Sequence, residues 1–207
     1  MKKDKYVITI ARQFGSLGRP IAQKMSEKLG IEFYDRDIVD EASKKLNLPV
    51  SVINEEEETA VVSLGIKHAF GRMAYPLGKG TTEKQDKIFE TQETVIKFLV
   101  ERDSCIVVGR CADFILSEHP NAMHIYIYAP YEARVKNSVE ELGLEIEEAK
   151  RMIYEVDQAR DSYHMHYAGF KPDDKNFKHI MVDSDYLGVE GTAEYLVDII
   201  KKKFNLS

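Results

Sequence analysis

Short apolar runs and longer apolar stripes alternate along this chain, and their order predicts its architecture. Val7-Ile8-Thr9-Ile10 is almost uninterrupted, as expected of a parallel strand covered on both faces. Ile21, Met25 and Leu29 then recur at the spacing of one helix face, with Ala22 beside them and Gly30 as a stop. Residues 31–34 read as a second short strand, and Ile38, Val39, Ala42 and Leu46 resume a helical period up to Pro49, so residues 7–48 read β-α-β-α. Over about 50–102 the strand signal vanishes. Ile53, Val61, Leu64 and Ile66 mark helical pieces, residues 71–82 are turn-rich, and Ile88, Thr91, Val95, Phe98 and Leu99 form the apolar face of a longer helix. Residues 105–108 and 122–128 return to the buried-strand pattern. Pro130 opens a helix with Val135, Val139 and Leu142 on its core face and Gly143 as its stop; a second helix, from near Glu145, uses Ile146, Ala149, Ile153 and Val156. Residues 179–182 make a last strand, and Ala193, Leu196 and Ile200 mark a closing helix.

Such alternation implies a mostly parallel sheet with helices on both faces, a class in which ligands bind at the carboxyl ends of strands. The polar clusters of this chain fall at those ends. Gly15-Ser16-Leu17-Gly18-Arg19 follows the first strand, Asp35-Arg36-Asp37 the second, and Gly109-Arg110 the third, so one crevice can be lined by all three.

The first of these clusters is a glycine turn between a strand and a helix. There, unpaired N–H groups and the positive end of the helix dipole favour an anion, phosphate above all. Against the pattern G-x-x-x-x-G-K-[ST], the turn keeps Gly15, Ser16, Gly18 and a cation, with Arg19 in place of lysine. Pro20 and Ile21 follow instead of a hydroxyl, which leaves Ser16, inside the turn, as the candidate metal ligand. Arg12 and Arg19 add guanidinium groups, which bind phosphate oxygens in pairs.

Composition narrows the classes further. A net charge of −6 with no long Lys/Arg tract argues against a broad nucleic-acid surface, so any anion site must be local. No apolar run approaches the roughly 20 residues of a membrane span, and the basic start at Met1-Lys2-Lys3 lacks a signal-peptide core, which predicts a cytoplasmic protein without membrane partners. Cys105 and Cys111 lack metal-ligand spacing and read as reduced thiols. Glu55 to Glu58, with no other ligand type interleaved, reads as a solvated run, as do Lys150 and Arg151. His164 and His166 lie two apart, which directs them to different sides of a helix and excludes a shared zinc; Tyr163, Tyr167 and His164 remain open between the hairpin and a subunit contact.

Three stretches together, Arg12-Gln13-Phe14-Gly15-Ser16-Leu17-Gly18-Arg19, Phe33-Tyr34-Asp35-Arg36 and Val107-Val108-Gly109-Arg110-Cys111-Ala112-Asp113-Phe114-Ile115-Leu116, resemble the cytidylate-kinase-like family of P-loop proteins. The likeness spans nearly the whole chain and is weakest over about 50–87. It implies a P-loop NTPase fold: a three-layer α/β/α domain over 1–207 with a five-stranded parallel sheet. The core would span 1–49 and 103–207, with a helical acceptor-binding insert over about 50–102 and a helical lid over about 130–170. The implied activity is ATP- and Mg²⁺-dependent phosphorylation of a small acceptor, most plausibly CMP or dCMP.

By position, Arg12 and the stretch Gly15, Ser16, Leu17, Gly18 and Arg19 would hold the donor phosphates, and Asp35 with Arg36 would border the acceptor. Gly109-Arg110 corresponds to the Gly-Arg-Asp of cytidylate kinases, in which arginine approaches the acceptor phosphate and aspartate helps read cytosine; here Cys111 takes the aspartate position and Asp113 lies two residues on. Arg134 and Arg160 match lid positions, Asp157 shares a helix face with Arg160, and arginines arriving on closure would stabilise the transferring phosphoryl group. Cys111 keeps open a different metabolite as acceptor, and the absent lysine keeps open a non-catalytic nucleotide sensor or partner-binding protein. A monomer and a homodimer are both compatible with this reading.

Overall fold

In the computed structural model, which describes residues 5–35 and 82–206, five strands lie side by side in one sheet. They are β1 (Val7–Arg12), β2 (Glu32–Tyr34), β3 (Cys105–Val108), β4 (Ala122–Tyr128) and β5 (Ile180–Asp183), arranged β2-β3-β1-β4-β5 with every pairing parallel. The register sets Val7 beside both Cys105 and Ala122, so β1 is flanked on both edges as well as covered on both faces. That central position is why its sequence is a nearly continuous apolar run.

Six helices, α1 (Gly18–Leu29), α2 (Thr82–Arg102), α3 (Ala112–Ile115), α4 (Tyr131–Glu140), α5 (Ile146–Ala168) and α6 (Ser184–Phe204), complete the described elements with a 3-10 turn at Lys175–Phe177. On one sheet face Ile8, Ile10, Ile106 and Ile125 pack with Ile21 and Met25 of α1 and Leu196 and Ile200 of α6. On the other, Val7, Cys105 and Val107 pack with Val95, Ile96 and Leu99 of α2. Full burial of each such aliphatic side chain stabilises by about 1.5–3 kcal/mol, so these two layers hold the strand ends in place. The three-layer α/β/α arrangement predicted from the alternation is the observed fold.

Local differences from the periodicity have physical causes. Phe98, assigned to the buried stripe of α2, is 42% exposed, while Phe89, Gln92, Val95 and Ile96 face inward. Gln92 occupies the core face because Tyr163 Oη donates to its Oε1 at 3.1 Å, and a polar residue there rotates the apparent stripe. Four-residue α3 is too short to produce a period. The closing helix starts earlier than its apolar face suggests: the Asp183 carboxylate accepts the Asp185 N–H at its start, and the helix bends at Gly188. The helix expected over 38–48, the helical pieces over 53–66, Glu55 to Glu58, all but the last residue of the turn-rich stretch 71–82, and Arg36 lie outside the described residues. Among the described residues no helix is long and apolar enough to cross a membrane.

Candidate active site

The carboxyl end of β1 runs into a five-residue turn before α1 begins at Gly18. Leu17, left-handed at φ 57°, starts that helix without a side-chain cap, so the first-turn N–H groups and the positive end of the dipole face outward as an anion site would require. The turn is pinned from beneath. Ser16 is fully buried, and its hydroxyl donates to the carbonyls of Gln13 at 2.9 Å and Ile127 at 3.2 Å. The Ser16 oxygen faces inward in this arrangement, where it ties the turn to β4.

Guanidinium groups gather around this turn. Arg12, the last residue of β1, lies against Gly109, where a Cβ would sit 2.4 Å from Arg12 Nη1, so only glycine leaves room for it. Burial drives the Arg12 guanidinium well below its ordinary value, and the charges of Arg160, Arg110 and Arg19 push the same way, opposed by Asp35. Four arginines are thus set within electrostatic reach of one another. Arg19, 44% exposed, meets Asp35 at 2.6 Å, closing the end of β2 onto the start of α1. A cleft of about 350 Å³ opens beside them, its walls including Arg12, Gly15, Gly18, Arg19, Asp35 and Arg160.

α4 and α5 form an antiparallel hairpin that grips the turn. Phe14 N–H donates to Asp157 Oδ1 at 2.8 Å, Arg134 Nη1 donates to the Phe14 carbonyl at 3.2 Å, and Arg160 Nη1 donates to the Arg12 carbonyl at 3.0 Å. Arg134 also pairs with Asp157, and Arg160 stands 3.9 Å from the same carboxylate. Asn137 Nδ2 reaches the Gly15 carbonyl at 2.9 Å. Gly15, at φ 74°, lies so close to α4 that a Cβ would fall 2.6 Å from the Arg134 carbonyl oxygen.

At the end of β3 the chain turns through three consecutive left-handed residues, Gly109, Arg110 and Cys111, two of which pay the steric penalty of a side chain. The turn carries Arg110 inward, where its guanidinium hydrogen-bonds the Tyr163 hydroxyl. Cys111 is buried, and burial pushes its thiol far above the ordinary range, so it is a neutral wall. Burial likewise pushes the Cys105 thiol up to about 12.

Asp113 is sealed off. Its carboxylate pairs with Lys178, whose side chain is 0% exposed, and with His164 Nε2 at 2.9 Å. His164 Nδ1 lies 2.8 Å from the Phe170 carbonyl, so the ring is held between two oxygens. Burial alone would raise the Asp113 carboxyl, but the hydrogen bonds and charges of His164 and Lys178 outweigh it and hold the group below the usual carboxylate range. Both of its oxygens are hydrogen-bonded in the interior, away from the cleft lining.

Of the residues singled out from sequence, Arg12, Gly15, Leu17, Gly18, Arg19, Asp35 and Arg160 meet on the cleft wall. Arg134 and Asp157 stand behind the turn, Arg110 lies inward against Tyr163, and Arg36 falls outside the described residues. Sequence reasoning passed over Phe14, Gln23, Asn137 and Glu141, of which all but Asn137 line the cleft. Phe14 did carry a signal, a large apolar side chain at the tip of a polar turn. Among the described residues no group of three or more His, Cys, Asp or Glu could hold a metal ion.

Residues 7–186 match the cytidylate kinase-like family. Over 195 residues the chain is 23% identical to the cytidylate kinase of Thermoplasma volcanium, spanning 93% of this chain and 90% of that protein. An uncharacterized protein from Eubacterium ventriosum superposes with a TM-score of 0.66 at 23% identity, covering 98% of this chain and 100% of the other. Shikimate kinase from Acinetobacter baumannii, solved in complex with shikimate, gives 0.54 at 13% identity, covering 97% and 96%. The structural likeness is one of fold, that of the P-loop kinases.

Proposed function

The chain belongs to the cytidylate kinase-like family, and from that premise we propose that it transfers the γ-phosphoryl group of ATP to a small acceptor, a nucleoside monophosphate such as CMP or dCMP. One observation carries the reading: Arg12 stands half-buried at the strand end with Arg19, Arg110 and Arg160 pressing on it electrostatically, on the wall of an open cleft. Guanidinium groups gathered at a strand end beside an open cleft are the arrangement that a polyphosphate binds.

In the proposed reaction an acceptor phosphate oxygen attacks the γ-phosphorus, the bond to the β–γ bridging oxygen breaks, and ADP leaves with that electron pair. No covalent enzyme intermediate is needed. The donor phosphates would lie against the turn from Gly15 to Arg19 and the uncapped start of α1. Arg12 and Arg160 would neutralise the transferring group, while Asp35, held by Arg19, would orient the acceptor. Mg²⁺ would supply further charge neutralisation at the donor phosphates, and the Ser16 hydroxyl, which donates to two carbonyls, would have to turn outward to hold it.

A second acceptor class, another phosphorylated or hydroxylated metabolite, is favoured by one feature. The position that resembles the cytosine-reading aspartate holds the buried, neutral Cys111, and Asp113 is locked to His164 and Lys178. Calorimetry with a nonhydrolysable ATP analogue, followed by ADP release with CMP, dCMP and a panel of metabolites, tests both. ADP formed with CMP or dCMP supports the first reading, and ADP formed only with another acceptor supports the second. Binding of the analogue with no turnover on any acceptor would leave a nucleotide sensor.

A further inference from the structure

The hairpin of α4 and α5 occupies the place of a lid that closes on ligand, yet its core contains a residue of the glycine turn. Phe14 is 3% exposed and packs among Leu144, Ala149, Met152, Ile153 and Val156, the apolar interior of the hairpin itself. The backbone on either side of it is held as well: its N–H by Asp157, its carbonyl by Arg134, the next carbonyl by Asn137, and the Arg12 carbonyl by Arg160. A freely opening lid would have to withdraw an aromatic ring from its own core and break four hydrogen bonds, all in one motion. The turn and the hairpin therefore share one core.

We propose that Phe14 is a positioning residue that locks the phosphate-binding turn to the hairpin, so that Arg134 and Arg160 stand at the turn before any ligand arrives. Arg134 is the clearest case. Its side chain is 10% exposed and already engaged by the Phe14 carbonyl and Asp157, an arrangement that needs no closure to form. The site is then preorganised at its donor end, and whatever motion admits substrate belongs elsewhere in the molecule. The ligand-linked part of this inference rests on the reading of the turn as a triphosphate site; the anchoring part does not.

Amide hydrogen exchange on the free protein tests the anchor. In Phe14→Ala the amides of residues 146–156 exchange at least tenfold faster, those of residues 193–200 in α6 do not change, and Phe14→Leu, which refills most of the volume, returns the hairpin toward wild type. Equal acceleration in α6 and the hairpin, or no acceleration in the hairpin, overturns the proposal; if Phe14→Ala does not fold, the same comparison is made on Phe14→Val, which leaves a smaller void. A nonhydrolysable ATP analogue supplies the second measurement. Hairpin exchange in the wild type stays within about twofold on binding, affinity falls about tenfold in Phe14→Ala, and Phe14→Leu recovers it. Strong ligand-induced protection of the hairpin in the wild type overturns the preset arrangement. If the wild type binds no analogue, the nucleotide reading fails while the exchange of the free protein still decides the anchor.

Discussion

Two charged clusters are packed around the same sheet and are built on opposite principles. Around Arg12 three other arginines and Asp35 act on its guanidinium, which burial and those arginines drive down, and a cleft opens beside them. Around Asp113 the charges interlock: one carboxylate is shared by Lys178 and His164, each side chain at most 6% exposed, with no solvent-facing wall. The first arrangement is open; the second is closed. Like charges beside an opening distinguish a binding site from an internal strut, since a buried charge set that already satisfies itself gains nothing from a ligand.

Removing one charge from each cluster should therefore have opposite consequences for stability. Lys178→Met leaves the Asp113 carboxylate with His164 alone, and breaking a buried pair from one side costs about 3–5 kcal/mol, here at the lower end because His164 remains. Urea unfolding measures it. A loss below about 1 kcal/mol would mean that Lys178 is no more than a bystander.

Arg12→Met, by contrast, removes a guanidinium that burial and three like charges disfavour. Stability is expected to hold or rise, while affinity for a nonhydrolysable ATP analogue falls about 10- to 100-fold, the worth of one or two hydrogen bonds to a charged group. Calorimetry and urea unfolding on the same sample read both. Lost stability with unchanged affinity would place Arg12 among the struts and dissolve the contrast between the two clusters.

Strand positions were legible in the sequence because each central strand is covered on both faces and so has little choice but to be apolar: the observed β3 and β4 coincide with the runs at 105–108 and 122–128. The strand-end rule brought Arg19 and Asp35 to one cleft, and Arg12, read from its place beside the glycine turn, and Arg160, read from the family resemblance, line the same cleft. The enclosure of Asp113 was not legible, for an equally physical reason. Its partners lie 51 and 65 residues away, on α5 and just before β5, and no local pattern announces that a carboxylate will be enclosed by such distant groups. Phe14 is the reverse case, a residue whose local oddity was visible but whose meaning depended on a hairpin more than a hundred residues downstream.

The open cluster depends on how closely α4 approaches the turn, which Gly15→Ala tests directly. Alanine at φ 74° is strained, and its Cβ would meet the Arg134 carbonyl oxygen, a backbone atom that cannot swing aside. A loss of about 2 kcal/mol is expected in urea unfolding. Weaker binding of the ATP analogue should accompany it, because the turn must move off the hairpin to make room. Unchanged stability would show that turn and hairpin are loosely apposed.

The smallest effect is a pH dependence that probes the interior next to the closed cluster. His124 Nδ1 lies 2.8 Å from Thr9 Oγ1, and burial lowers its imidazole from 6.5 to about 4, with the charge of Asp113 partly opposing. Between those values the unfolded chain takes up a proton that the folded chain does not, so stability is complete above 6.5 and is lost as pH falls toward 4. From pH 7 to pH 6 the expected loss is about 1 kcal/mol. Asp113, held below its ordinary value, contributes no slope in that window; its share is lost only at lower pH, as protons compete with His164 and Lys178. His124→Gln should flatten most of the slope between pH 7 and pH 5 and leave the acid limb in place. A residual slope remains from His179, whose imidazole burial also lowers and whose Nδ1 accepts the His124 N–H at 2.9 Å. If the variant keeps the full wild-type slope, the protons are taken up elsewhere, and His124 is not held neutral by its burial against the sheet.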